Sequence, residues 1–377
     1  SRVQSSRAAA LATAANGAGI SGNGTLATIR NNEIRDNSAT SNGGGVYQCD
    51  GRIENNRIAR NFAWLGAGCY GCDGSIAGNE IYGNMGEYGG GLSNCGGAIT
   101  DNTITRNIAQ NAGGGLHNCS GHVESNAITR NTAFSFGGGL HECGGTIEGN
   151  LIVGNHGYDS GGGGAGCGGT IRNNMILGNE AQFHGGGLYD CEGMIENNTI
   201  TENALIDPSF SAGGGLHGCD GIIRNCIIWG NVALTDAQIH QTSTPVYSCI
   251  QAWTGGGTGN ISDDPLFTTG PLGAFYLSQV AAGQVAQSPC VDAGSATAVS
   301  LGLGNHTTRT DGAGDAGIVD VGFHYPPEGF DLRGTVTGIA PTAFLAGETF
   351  RILGRVENFG TTEVAVAVRV EFRLYGR

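Results

Sequence analysis

Tyr47, Tyr70, His117, His141, Tyr189 and His217 occupy one place in a recurring phrase, directly after the apolar residue of a V/L-x-x-C element. Imidazoles and phenols gathered in a row could move protons, ligate a metal or stack on sugar rings, and Glu142 and Asp190 lie close to the same strip. The phrase also carries a thiol: Cys49, Cys72, Cys95, Cys119, Cys143, Cys167, Cys191, Cys219 and, in a worn copy, Cys249. Such thiols could pair as disulfides, hold a metal or act as small buried hydrophobes. A third set, Asp311, Asp315 and Asp320 in DGAGDAGIVD, offers carboxylates that could bind Ca²⁺. Their spacing lacks the remaining ligands and glycine of an EF-hand, which favours an Asx-rich turn.

The composition restricts what these groups can serve. The 377 residues include 71 glycines and only 13% charged residues, with a net charge of −14. All 18 basic residues are Arg, so no Schiff-base lysine exists, and an acidic chain without a basic stripe argues against nucleic acid and anionic membranes. No apolar run is long enough to span a bilayer. The opening SRVQSSRAAALATAANGAG is too polar for an intact signal peptide and reads as a cap or the remnant of a cleaved leader.

Positioning comes from internal repetition. Cut before each recurring Ile, the chain gives TIRNNEIRDNSATSNGGGVYQCDG, RIENNRIARNFAWLGAGCYGCDG and SIAGNEIYGNMGEYGGGLSNCGG, then five further copies to Gly221 and a degenerate ninth to Gln251. A unit this short cannot hold two packed helices, and its I-x-x-N-x-I-x-x-N core has no helical period. It spells short strands broken by Asn and Gly turns. One unit cannot bury its own apolar face, so copies must stack at the parallel-strand spacing of about 4.8 Å, and nine coils make a rod about 40 Å long. The sequence therefore predicts a parallel β-helix.

Stacking turns each repeated position into a column. Ile29 to Ile223 and Ile34 to Ile228 form two inward stacks. Asn102, Asn126, Asn150 and Asn174 belong to one Asn ladder at a turn expected to need a left-handed residue, and Asn107, Asn131, Asn155 and Asn179 to a second. The triple glycine before each V/L-x-x-C is expected to turn a corner where a Cβ would clash. The thiol column, with Cys95, Cys119, Cys143, Cys167 and Cys191 at its centre, is expected to be buried and mostly free, because parallel neighbouring side chains give poor disulfide torsions. The Tyr/His column is expected to decorate a solvent face, with a carbohydrate-binding or acid–base role as the alternative. The charges from Glu148 to Arg224 alternate along the stack and read as an exposed register device.

Beyond the coils come NCIIWGN, VYSCIQ, GTGNISDDPLF, AFYLS, QSPCVDAGS and RTDGAGDAGIVDVGFHY. With the coils, this series resembles the bacterial right-handed β-helix surface proteins of the choice-of-anchor Q type, over roughly residues 28–326. The resemblance implies an exported, cell-surface protein without catalytic residues; the regular Cys column departs from the family pattern. The A-G-E-T-F…V-x-N-x-G phrase of residues 346–360 is similar to the start of a CARDB-like immunoglobulin-type adhesion domain. The expected organisation is all-β: an N-terminal cap or leader remnant (1–27), a right-handed parallel β-helix of about nine coils of 23–30 residues (28–251), a C-terminal cap (252–327) with Phe267, Phe275, Leu277, Val319, Val321 and Phe323 inside it, and a small, incomplete β-sandwich (328–377).

In that last segment Val364, Val366, Val368, Val370, Phe372 and Leu374 alternate with smaller or charged residues, a strand expected to dock on a neighbouring copy unless further chain completes the domain. The expected function is an exported structural protomer of a bacterial surface layer or filament, adhesive through surface glycans or self-association. The alternative is a polysaccharide-binding or polysaccharide-cleaving β-helix using its Tyr/His face. Neither needs a cofactor, with Ca²⁺ the one candidate.

Overall fold

The computed structural model describes residues 2–4, 7–8, 13–327, 332–340 and 351–358. Its main body is a parallel β-solenoid of about ten turns whose strands line up into four parallel sheets of 10, 11, 9 and 10 strands. Every strand pairs with the equivalent strand one coil away: Ile53 sits between Ile29 and Ile76, and Ile58 between Ile34 and Ile81. The two Ile columns are fully buried, because β-branched side chains fill a pleated inner face well. The third sheet presents Ala39, Ala63, Ala109, Ala133 and Ala181 inward, and the fourth Val46, Cys69, Leu92, Leu116, Leu140, Leu188 and Leu216. Strands at Arg2–Gln4, Arg7–Ala8, Thr13–Asn16 and Ile20–Thr25 pair with the coil that follows, so the segment read as a cap or leader remnant supplies a coil of its own.

The turns are built differently from the expectation. The left-handed residue is the one before each ladder Asn, for example Asn55, Asp101, Ser125 and Asn173 in one column and Arg60, Arg106 and Arg130 in the other. The ladder Asn itself is selected for its buried amide. Asn126 donates from Nδ2 to Asn150 Oδ1 at 3.0 Å, and its backbone N–H donates to the same oxygen at 2.9 Å. Its Nδ2 also reaches Ile99 O in the preceding coil at 2.8 Å. The second ladder repeats the pattern, with Asn131 Nδ2 bonded to Asn155 Oδ1 at 3.0 Å. Each coil is thereby stapled to the next through its corner, and among the described residues no buried side-chain amide lacks a hydrogen-bond partner. Cys226 ends the first ladder, its thiol donating to Arg224 O at 3.2 Å and Ile195 O at 3.5 Å in place of an Asn amide.

The triple-glycine corner behaves as expected. At Gly137 φ is 65°, and a Cβ on Gly139 would stand 2.5 Å from the carbonyl oxygen of Gly163 in the next coil. Backbones pass too close there for any side chain.

All twelve cysteines are buried and free. Cys249, read as the worn member of the thiol column, belongs elsewhere: it pairs beside Ile227 in the second sheet and packs with Cys290, Leu277 and Val321. The irregular last coil uses Ile239–His240 against Leu216–His217, so Thr242 stands where the column would continue. Within the column each thiol donates to the carbonyl two residues earlier, as Cys119 does to His117 O at 3.5 Å. Hydrogen bonding to a neighbouring thiol, then burial, holds Cys119 and Cys191 well above the ordinary thiol range.

Residues 252–327 cover the end of the coils through Trp253, which packs on the main core, but they also fold back along the outside of the first two sheets. Met175 and Leu177 lie under Tyr276, Phe323 and Tyr325, with Tyr276 and Tyr325 stacked at 3.9 Å. Leu277, Val319, Val321 and Phe323 are buried as expected, while Phe267 and Phe275 remain half-buried. Glu196 is 5% exposed and pairs with Arg224 beneath this cover, so that part of the alternating charge row is not a solvent-face device. Glu148 and Arg172, paired at 2.8 Å, stay half-exposed.

Beyond this, Leu332–Ala340 pairs antiparallel with Arg351–Asn358 as a hairpin. The strand expected at Val364, Val366, Val368, Val370, Phe372 and Leu374 lies outside the described residues.

Candidate functional site

The fourth sheet is made of two-residue strands such as Leu116–His117, Leu140–His141 and Leu188–Tyr189. With side chains alternating across a strand, the first residue of each enters the core and the second faces out. Unbroken register then places Tyr47, Tyr70, Ser93, His117, His141, Ala165, Tyr189 and His217 in one outward row, and extends it to His240. All six Tyr and His residues singled out from the sequence are thus brought together in one strip.

The rings stack along the row. Tyr47 and Tyr70 lie 5.8 Å apart at 7°, and His117 and His141 5.4 Å apart at 7°. Where the row drops to Ser93 or Ala165, an aromatic residue preceding a triple glycine fills in. Tyr88 meets His117 at 5.1 Å, and Phe136 lies 6.2 Å from both His141 and Tyr189. His184 adds a ring 4.3 Å from His217, which is followed by His240 at 5.0 Å. Tyr88, Phe136, His184 and His240 were not singled out from the sequence, although the aromatic residue ahead of G-G-G was visible in EYGGG, SFGGG and FHGGG.

Packing removes these imidazoles from water. Burial, then the neighbouring His184 and His240, lowers the His217 pKa to about 4, and burial lowers His117, His141 and His184 too. Neutral rings keep a lone pair for a ligand or proton. Nδ1 of His141, of His184 and of His217 is buried without a hydrogen-bond partner. Ala165 opens a concavity of about 450 Å³ lined by Phe136, His141, Glu142, Tyr189, Asp190 and Glu192, so aromatic faces and three carboxylates share one hollow. Among the described residues, His117, His141 and Glu142 form the His/Cys/Asp/Glu group whose three ligand atoms lie within 4.8 Å of one another.

The Asp311, Asp315 and Asp320 set does not converge on an ion. Asp311 pairs with Arg309 and accepts from Ala313 N at 3.2 Å. Asp315 Oδ2 accepts from Asp320 N at 2.9 Å and lies 2.8 Å from His324 Nε2. Asp320 is occupied by Asp292 N at 2.7 Å, Gln279 Nε2 at 3.0 Å and the Thr308 hydroxyl. These carboxylates are acceptors that brace the cap, and they do not gather into one ligand group. The cap is clamped by three residues the sequence did not single out: Asn173 bonds both N and O of His324, Asn197 donates to Asp320 O, and Asn225 Oδ1 accepts from Ser295 N. They occupy the left-handed turn column, converted there from solvent-facing turn to docking surface.

The fold and its ladders define a parallel β-helix repeat protein. No family model matches the chain, and no curated protein or solved structure matches it significantly.

Proposed function

We propose that this chain is a structural protomer, a stiff rod that builds or decorates an extracellular surface layer or filament, as its choice-of-anchor Q-like tail motifs also suggest. The observation that carries this reading is the constancy of the coils. The Asn ladder steps by 23 or 24 residues from Asn32 to Asn198, and the step grows only to 28 between Asn203 and Asn231. Enzymatic clefts on stacked coils need long arching loops, and these ladder steps leave no length for one. Two exposed aromatic pairs beside the third sheet, Phe62 with Trp64 and, three coils on, Phe134 stacked on Tyr158, support association with other copies. The segment 364–374 is the proposed joint, because its alternating apolar sequence suits addition as a strand to another sheet. Sedimentation velocity of the full chain tests this: the account expects concentration-dependent growth that Val368→Asp suppresses, and a monomer at all concentrations would defeat it.

A second reading has one specific observation behind it. The hollow at Ala165 joins ring faces of Phe136 and Tyr189 to the carboxylates of Glu142, Asp190 and Glu192, a combination suited to a sugar unit. Binding of a polysaccharide lost on Tyr189→Ala would support it.

A further inference from the structure

The outward row contains two imidazoles in succession, His117 and His141, set between two small residues, Ser93 and Ala165. Glu142 follows His141 directly in a left-handed conformation with φ 52°, which turns its side chain back over the pair. His117 Nε2 lies 3.7 Å from Glu142 Oε2, and His141 Nδ1 lies 3.9 Å from the same oxygen. Both separations are too long for hydrogen bonds, so a shared proton does not close them. Three electron-pair donors lie within 4.8 Å of one another, and one of them, His141 Nδ1, is buried with no hydrogen-bond partner.

We propose that His117 Nε2, His141 Nδ1 and a Glu142 carboxylate oxygen form a binding site for one divalent transition-metal ion, with Zn²⁺ the best match. Two imidazoles and a carboxylate are borderline donors that suit zinc over the oxygen-seeking Ca²⁺ and Mg²⁺. Ligand atoms around a tetrahedral zinc stand about 3.3 Å apart, given bonds of about 2.0 Å. The observed 3.7 and 3.9 Å separations therefore need to close by a few tenths of an ångström, and the two imidazole nitrogens, within 4.8 Å of each other, by up to about 1.5 Å.

Two features allow that closure. Glu142 is 58% exposed and free to swing. The rings are parallel to within 7°, so each must tilt toward the other to aim its lone pair at one ion; the hollow at Ala165 leaves His141 room, while Tyr88 packs on His117. Ser93 Oγ lies 3.3 Å from His117 Nδ1, a partner for the nitrogen that does not bind metal, as outer-shell groups commonly provide. Because His141 and Glu142 also line the hollow at Ala165, the remaining coordination position opens onto it and can take water or a ligand.

Among the described residues, the other histidines lack this arrangement. His122 is hydrogen-bonded to Glu124 at 3.1 Å and His240 to Asp236 at 2.6 Å, each without a second imidazole completing a set.

The test is titration of the full-length chain with Co²⁺, followed by competition with Zn²⁺. The buried thiols are the rival site, and they announce themselves by thiolate-to-cobalt charge transfer. The proposal expects one Co²⁺ per chain, a nitrogen/oxygen spectrum without that band, and displacement by Zn²⁺. Glu142→Gln, at an exposed position that leaves the fold intact, and His141→Asn should each weaken binding by more than the 10- to 100-fold typical of losing an outer-shell partner, and Ser93→Ala by about 10-fold. Absence of binding, a thiolate band, or undiminished binding in folded Glu142→Gln would each overturn it.

Discussion

Removing one rung of an Asn ladder is the sharpest probe of how the rod is held. In Asn150→Ala, Oδ1 is lost as acceptor for Asn126 N–H at 2.9 Å and Asn126 Nδ2 at 3.0 Å. Nδ2 is lost as donor to Val123 O at 2.8 Å, Glu148 O at 3.0 Å and Asn174 Oδ1 at 3.0 Å. Asn126 Nδ2 keeps Ile99 O and Glu124 O, and Asn174 Oδ1 keeps Asn150 N–H, so the damage centres on the buried Asn126 N–H. Orphaning one buried group costs about 1–3 kcal/mol, and counting one further net bond at about 1 kcal/mol gives about 2–4 kcal/mol. Two residues away, Glu148→Ala removes a half-exposed ion pair with Arg172 and should cost about 0.5 kcal/mol or less. Asn150→Asp keeps the size of the side chain but cannot donate to three waiting acceptors while ionised, so it should cost at least as much as Ala at neutral pH. Urea unfolding by circular dichroism, with amide exchange at Asn126 as a local readout, measures all three. Equal losses for Asn150→Ala and Glu148→Ala would refute the assignment of amide ladder inside and charge row outside.

The thiol column predicts that native protein resists alkylation and that all twelve cysteines react only after denaturation, as mass spectrometry of the labelled chain will show. The imidazole row predicts acid sensitivity: the His217 pKa is lowered from 6.5 to about 4, so the unfolded chain binds the extra proton and stability falls as pH drops from 6.5 toward 4. His217→Phe should flatten that part of the unfolding profile. Phe136→Ala should lose the ring that spans from His141 to Tyr189 and cost about 1 kcal/mol beyond its buried area, read from the urea midpoint. Asn173→Ala should loosen the cap and speed limited proteolysis within residues 252–327 while leaving the coils protected.

The sequence made the coils legible because its β-branched inward positions recur as Ile columns and its corner amides as Asn columns. The third sheet was harder to see, since its inward residues are Ala39, Ala63, Ala109 and Ala133, whose small side chains leave little hydrophobic signal. Placing the left-handed residue at the ladder Asn was a reasonable inference from Asn chemistry, but Arg60, Arg106 and Arg130 at positive φ show that the preceding position bears that demand. Cys249 misled because the shape of the worn phrase VYSCIQ matches the repeat while the lengthened coil before it shifts the register.

The Tyr/His row followed directly from the repeat, whereas the rings that complete it arrive from the neighbouring corner and depend on stacking geometry. The cap clamp was invisible for a similar reason. Asn173, Asn197 and Asn225 share a column with Asn31 and Asn55, and only docking of a segment 70 or more residues downstream distinguishes them.

The measurement that bears most directly on the proposed role is negative-stain electron microscopy of the full-length chain across a concentration series. Ten coils at about 4.8 Å give a body about 48 Å long. The account predicts such rods joined into longer filaments or layers that Val368→Asp disperses. Separate, unjoined rods at every concentration, with the variant indistinguishable from the parent chain, would contradict it.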